Sequence, residues 1–122
     1  MRILLIEDEP KIASFVIEGL QAAGMRIEHI NNGPEGLQTV LQAQHDLVVL
    51  DIMLPGLDGY ELLRQARTTG ITTPVIVLSA KADLPDRLLG FDVGANDYLA
   101  KPIDLDRLFS LIRVWLPKVE LL

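Results

Sequence analysis

The chain has 122 residues, of which 49% are hydrophobic, which suits one domain with a single core. It carries 11 basic and 17 acidic residues, and its formal net charge of −6 argues against direct nucleic-acid binding, which needs clustered Lys and Arg. The absence of cysteine excludes thiolate catalysis, cysteine-ligated zinc and disulfides. No apolar run is long enough to cross a bilayer, and Glu7 and Asp8 come too early for a signal peptide. We therefore expect a cytoplasmic protein without a membrane partner.

Apolar runs typical of buried strands occur at residues 3–6, 47–50 and 75–78, with a weaker one around 98–99. Their continuous rather than alternating apolarity indicates strands that are covered on both faces, as in a parallel sheet. A more polar candidate at residues 26–30 is expected nearer a sheet edge.

Segments with the apolar spacing of amphipathic helices separate these strands. The spacing predicts helices at residues 11–23, 33–43, 59–68, 83–93 and 104–116. Asp58 and Asp104 are predicted N-caps, Gly24 a C-cap and Pro117 a stop. The apolar residues expected to face the sheet include Phe15, Leu88, Phe91, Leu108 and Ile112. The strict βα alternation predicts an α/β domain with right-handed crossovers and helices on both faces of the sheet.

Polar side chains stand where these strands end. Glu7 and Asp8 follow the first strand, Asp51 the third, Ser79 the fourth and Lys101 the fifth. Ligands of open α/β sheets bind at the carboxyl ends of the strands, so we expect these side chains to converge. Each alone is more simply explained as a helix-capping or surface group, and their joint position favours a site.

The expected chemistry is phosphoryl transfer. Crowded carboxylates repel one another, and Mg²⁺ with oxygen ligands is the usual ion that offsets such repulsion. Asp51 can act as the nucleophile and form an acyl phosphate, while Ser79 and Lys101 can contact the phosphoryl oxygens.

The chain resembles the receiver domains of response regulators in two-component phosphorelays, over nearly its whole length. The resemblance is closest to receivers of winged-helix transcription factors. It rests on LLIEDE at 4–9, DIMLPGLDG at 51–59, LSA at 78–80, GANDYL at 94–99 and KP at 101–102. It implies one flavodoxin-like (βα)5 doubly wound parallel sheet, with strands in the order 2-1-3-4-5.

The resemblance also implies a role for each matched residue. Asp51 would be the phosphoacceptor, and Mg²⁺ would be held by Glu7, Asp8, Asp51 and the backbone carbonyl of Met53. Ser79 and Lys101 would bind the phosphoryl group. Tyr98 would be a switch aromatic that turns inward when Ser79 moves, and Lys101–Pro102 would be a cis peptide. The domain would catalyse only its own phosphorylation and dephosphorylation, with a histidine kinase as phosphodonor and Lys81 tuning hydrolysis.

The sequence departs from the family pattern on its output face, which is formed by the fourth helix, the fifth strand and the fifth helix. Receivers of winged-helix regulators pair through salt bridges across the fourth helix, fifth strand and fifth helix, and Asp97 matches one such position. Leu89 and Leu111 stand where basic residues are usual, and we expect both to point outward. With Phe109 they form a hypothetical apolar patch for a partner or a second copy, unless they pack beneath neighbouring side chains.

Other functions remain open from the sequence. A phosphatase of the haloacid-dehalogenase type would need an acid where Met53 stands, and a flavin-binding module would be repelled by the acidic loop after the first strand. A receiver that acts only as an interaction module is a third alternative. We expect residues 1–117 to form the receiver and residues 118–122 a tail or the start of a linker.

Overall fold

The computed structural model describes residues 1–80, 88, 89 and 91–116, and in this part of the chain five strands form one sheet in the order β2-β1-β3-β4-β5. All neighbouring strands are parallel. This confirms the predicted doubly wound α/β fold. The strands are β1 (Arg2–Ile6), β2 (Arg26–Ile30), β3 (Leu47–Asp51), β4 (Val75–Ser79) and β5 (Asp97–Ala100).

The helices of the described residues lie between the strands and after the last one. They are α1 (Pro10–Ala22), α2 (Gly33–Leu41), α3 (Gly59–Thr68) and a C-terminal helix (Leu105–Trp115). Side chains cap three of them, because Asn32, Asp58 and Asp104 each accept a backbone N–H at the helix start. Both predicted aspartate caps are thus confirmed, and Gly24 ends the first helical segment with a φ of 90°.

The sheet separates two apolar cores. Because successive side chains of a strand point to opposite faces, Ile3 and Leu5 pack with α1 and the C-terminal helix, while Leu4 and Ile6 pack with α2 and α3. Strands β3 and β4 are buried at every residue, as the continuous apolar runs predicted. Strand β2 is more exposed and forms a sheet edge, also as predicted.

Leu111 does not point outward, and that prediction is wrong. Its side chain is buried in the core beside Leu108 and Ile112. Residues 108, 111 and 112 are spaced i, i+3 and i+4, and therefore lie on one helical face. Phe109 is half-buried and packs against the same core.

Three residues expected to face inward are exposed instead. Phe15 is 47% exposed because the buried stripe of α1 runs through Ala13, Val16 and Leu20. Leu88 and Phe91 are 58% and 46% exposed, and Leu89 is 46% exposed. The outward placement of Leu89 is therefore confirmed.

Several predictions concern residues outside those that the structure describes. They are the complete helix at residues 83–93, the role of Lys81, the stop at Pro117 and the tail at residues 118–122. Within the described residues, no helix combines the length and the apolar character needed to cross a membrane.

Candidate functional site

The carboxyl ends of β1 and β3 bring three carboxylates together. Glu7 and Asp8 follow β1, Asp51 is the last residue of β3, and oxygens of the three side chains lie within 4.8 Å of one another. Glu7 and Asp51 are buried, whereas Asp8 is exposed. One side of the cluster is thus closed by protein and the other faces solvent.

Lys101 spans the two buried carboxylates. Its Nζ lies 3.1 Å from Oε1 of Glu7 and 3.2 Å from Oδ1 of Asp51. It follows β5 closely, and its backbone N–H donates to the carbonyl of Ser79 at 2.9 Å. The Lys101–Pro102 peptide bond is cis.

Burial changes the pKa of the Glu7 carboxyl group. Desolvation, reinforced by the neighbouring Asp51, raises the pKa of Glu7 to about 8, although Lys101 acts in the opposite direction. Burial also opposes the charge on Lys101, but the contacts with Glu7 and Asp51 outweigh it, and the pKa of Lys101 is raised. Burial therefore favours the protonated form of Glu7, while the two carboxylates favour the charged form of Lys101.

The loop after β3 folds back tightly and fixes Asp51. The N–H of Gly59 donates to the carbonyl of Ile52 at 2.8 Å, so the first residue of α3 touches the strand end. A Cβ at Gly59 would lie 2.4 Å from the carbonyl oxygen of Asp51, which only glycine avoids. The N–H of Met53 points at Oδ1 of Asp51 across 3.4 Å, while the Met53 side chain is 70% exposed.

Ser79 and Tyr98 lie on the adjacent strands β4 and β5, and Ser79 is the last residue of β4. Ser79 is buried, and β4 pairs with β5 in a register that sets Val77 opposite Tyr98. Tyr98 is only 5% exposed, with its hydroxyl 3.4 Å from that of Tyr60. The side chain of Tyr98 therefore lies on the inside in this structure.

Two contacts were missed from the sequence. His29 on β2 places its Nε2 2.7 Å from the backbone carbonyl of Glu7. Asp97 accepts the indole N–H of Trp115 at 3.2 Å, so this carboxylate has a partner within its own chain. Neither pairing has a sequence signal, because both join residues that only the fold brings together.

The donor set fits a hard divalent cation. Three carboxylates provide oxygen ligands, which Mg²⁺ prefers, and the exposed side of the cluster leaves room for water ligands. Burial raises the pKa of Glu7, and a bound cation would favour the ionised carboxylate against that desolvation. Glu7, Asp8 and Asp51 are the residues that would hold it.

Fold and site together define a class of protein, namely a doubly wound α/β domain with an acidic, cation-type pocket at the carboxyl edge of its parallel sheet. Residues 3–113 match the family model of the response regulator receiver domain. The chain belongs to this family and is a regulatory domain of two-component systems.

Similar proteins agree with this assignment. The transcriptional regulatory protein HprR of Escherichia coli is 44% identical over 116 residues, which cover 95% of this chain and 52% of that protein. The chain spans about half the length of the curated relatives it matches, which are transcriptional regulators.

Solved receiver structures superpose closely. The receiver domain of the Francisella response regulator 1452 has a TM-score of 0.89 at 33% identity, with 93% of this chain and 94% of that chain covered. The receiver domain of the sensor histidine kinase PA1611 of Pseudomonas aeruginosa has a TM-score of 0.87 at 31% identity, with 96% and 98% covered. That structure holds a magnesium ion coordinated in its active-site cleft.

Proposed function

We propose that Asp51 is the phosphoacceptor of this receiver, in a pocket that binds Mg²⁺ through Glu7, Asp8, Asp51 and the backbone carbonyl of Met53. The observation that carries the proposal is the position of Lys101, whose Nζ lies 3.2 Å from Oδ1 of Asp51 beside the cluster of carboxylates. An ammonium group there is placed to pair with a phosphoryl oxygen once Asp51 is modified.

The reaction is a transfer from a phosphohistidine of a histidine kinase. A carboxylate oxygen of Asp51 forms a bond to phosphorus, the P–N bond breaks, and the leaving imidazole takes up a proton from water. Bound Mg²⁺ would neutralise charge on the transferred group. Lys101 pairs with one phosphoryl oxygen, the Ser79 hydroxyl donates to another, and Met53 flanks the group from the loop after β3.

A small phosphodonor tests this assignment without the kinase. With Mg²⁺ and acetyl phosphate, we expect the mass of the chain to rise by one phosphoryl group. Asp51→Asn should abolish the gain. Asp58→Asn is the matched control, because Asn caps a helix as well as Asp does and should leave labelling intact. Full labelling of the Asp51→Asn variant would overturn the proposal.

The kinase is proposed to dock on the α1 side of the pocket. Phe15, Ile12, Pro102 and Ile103 line a groove there together with the stem of Lys11. Pro102 directly follows Lys101, so a helix of the kinase on this groove could bring its phosphohistidine close to Asp51. The 47% exposure of Phe15 leaves an aromatic ring available as an anchor.

The output face is proposed to lie across the fourth predicted helix, β5 and the C-terminal helix. Leu89 and Phe91 supply its exposed apolar side chains, while Leu111 is removed from it by burial. Modification of Asp51 would favour one conformation of Ser79, Tyr98 and this face. The occupant we propose is a second copy of this chain, and regulation of transcription is the output, in line with the relatives.

Two matched variants separate these surfaces. Phe15→Arg should slow transfer from a histidine kinase and leave self-association unchanged, because its side chain lies on α1. Leu89→Arg should weaken self-association of the phosphorylated chain in sedimentation and leave transfer from the kinase unchanged. Both should accept phosphate from acetyl phosphate at the wild-type rate. The opposite pattern, or equal behaviour of both variants, would contradict the two assignments.

A further inference from the structure

The geometry points to His29 as a positioning residue for the acidic pair Glu7 and Asp8. This inference rests on the proposed Mg²⁺ site and adds a residue to it from the edge strand β2. Among the described residues, the hydrogen bond of His29 is to the backbone carbonyl of Glu7 and not to a side-chain oxygen of Glu7, Asp8 or Asp51. Its effect would therefore be exerted through the backbone of Glu7.

The backbone of Glu7 is held on both of its polar atoms by the end of β2. Its N–H donates to the carbonyl of Ile30 at 3.0 Å, and its carbonyl lies 2.7 Å from Nε2 of His29. A carbonyl oxygen can only accept, so Nε2 of His29 must carry the proton in this contact. At 2.7 Å the hydrogen bond is a short one for nitrogen and oxygen.

The imidazole replaces a missing bond of the sheet. The register of β1 and β2 ends at Ile6 opposite Ile30. In a continued parallel ladder, the carbonyl of Glu7 would accept from the N–H of the residue two beyond Ile30. Strand β2 stops there and the chain turns into α2 with Asn32 as its N-cap. The side chain of His29 supplies the donor that the backbone of β2 no longer provides.

This bond orients the link between the two acids. The peptide unit that joins Glu7 to Asp8 is planar, so holding its carbonyl toward β2 directs the N–H of Asp8 toward the opposite side. Strand β3, which carries Asp51, lies on that opposite side of β1. A freely rotating unit would let both acidic side chains drift from the arrangement in which their oxygens approach Asp51.

The test is calorimetric titration of the intact chain with Mg²⁺ in the absence of a phosphodonor. His29→Phe, which removes the donor, should raise the Mg²⁺ dissociation constant by about 3- to 10-fold, the effect of losing one hydrogen bond. His29→Gln retains an N–H at a similar reach and should return the constant to within about twofold of wild type. At saturating Mg²⁺, acetyl phosphate should label all three chains at similar rates.

The second histidine provides the matched control. His45 is buried, and its Nε2 lies 2.8 Å from a carboxylate oxygen of Glu28. This pair lies away from the Glu7, Asp8 and Asp51 cluster. His45→Phe should lower the melting temperature without changing the Mg²⁺ constant. If the wild type binds Mg²⁺ and His29→Phe binds it equally well, or Gln rescues nothing, the role of His29 is overturned alone. A wild-type chain that binds no Mg²⁺ overturns the proposed function and this inference together.

Discussion

Replacing Glu7 with Gln should stabilise the metal-free domain at alkaline pH. Glu7 is fully buried, and desolvation with the nearby Asp51 raises its pKa from 4.5 to about 8. In the unfolded chain the same carboxyl ionises at its ordinary value. Between these two values the folded state holds a proton that the unfolded state has lost, so the free energy of unfolding falls as pH rises.

The size of this effect follows from the two pKa values. At about 1.4 kcal/mol per pKa unit, a rise from 4.5 to about 8 corresponds to at most about 5 kcal/mol, fully expressed above pH 8 and absent below pH 4.5. A domain has about 5–15 kcal/mol of stability in all, so the loss is a large share. Gln keeps the shape of the side chain without an ionisable group and should not show this loss.

Urea unfolding in EDTA at pH 5, 6, 7 and 8 measures the difference between the two chains. The advantage of Glu7→Gln should grow steadily with pH, and adding Mg²⁺ should stabilise the wild type more than the variant. Glu18→Gln, an exposed change on α1, should show no such trend. A stability difference that stays constant from pH 5 to pH 8, or a variant less stable at pH 8, would refute the reasoning.

Three further substitutions test the packing of the fold by chemical unfolding, and two of them are compared with an exposed control. Gly59→Ala should destabilise the domain by about 1–3 kcal/mol, since its Cβ would meet the carbonyl of Asp51 at 2.4 Å. Arg67→Lys should cost about 2–4 kcal/mol, because Arg67 bonds four acceptors around the starts of β4 and β5. Arg64→Lys, at an exposed ion pair with Glu61, should have a much smaller effect. Leu111→Ala should cost about 2–5 kcal/mol and Val114→Ala, at a residue 63% exposed, about 0.5 kcal/mol or less. Equal costs within either matched pair, or an undisturbed Gly59→Ala, would contradict these placements.

The position of the site could be predicted because it depends on topology more than on side-chain detail. Continuous apolar runs identified the buried strands, and βα alternation made the sheet parallel. Every strand of a parallel sheet ends at the same edge, so Glu7, Asp51 and Lys101 had to approach one another although 94 residues separate the first from the last. The convergence of these residues depends neither on side-chain rotamers nor on how the helices are rotated.

Helix orientation was harder to predict, and the errors have a common cause. Val16 is buried, and Phe15 is the residue before it on α1. Each residue of an α-helix is rotated by about 100° from the next, so the side chain of Phe15 points away from the core. The outward prediction for Leu111 assumes that Leu108 and Ile112 already fill the inward stripe, although residues spaced i, i+3 and i+4 share one helical face. The C-terminal helix therefore buries a wider face than predicted.

The burial of Glu7 could not be predicted, yet it explains the character of the site. Acidic residues before a helix normally lie in solvent. Glu7 is instead 0% exposed at the end of β1, where Ile30, Asp51 and Lys101 lie against it. A buried carboxyl with too little positive charge nearby destabilises its own domain. The same deficit would favour a divalent cation, and an ionised Asp51 next to such a cation could receive a phosphoryl group without adding uncompensated charge. The buried carboxyl group of Glu7 would therefore both lower the stability of the metal-free domain and favour the cation that the proposed phosphorylation of Asp51 requires.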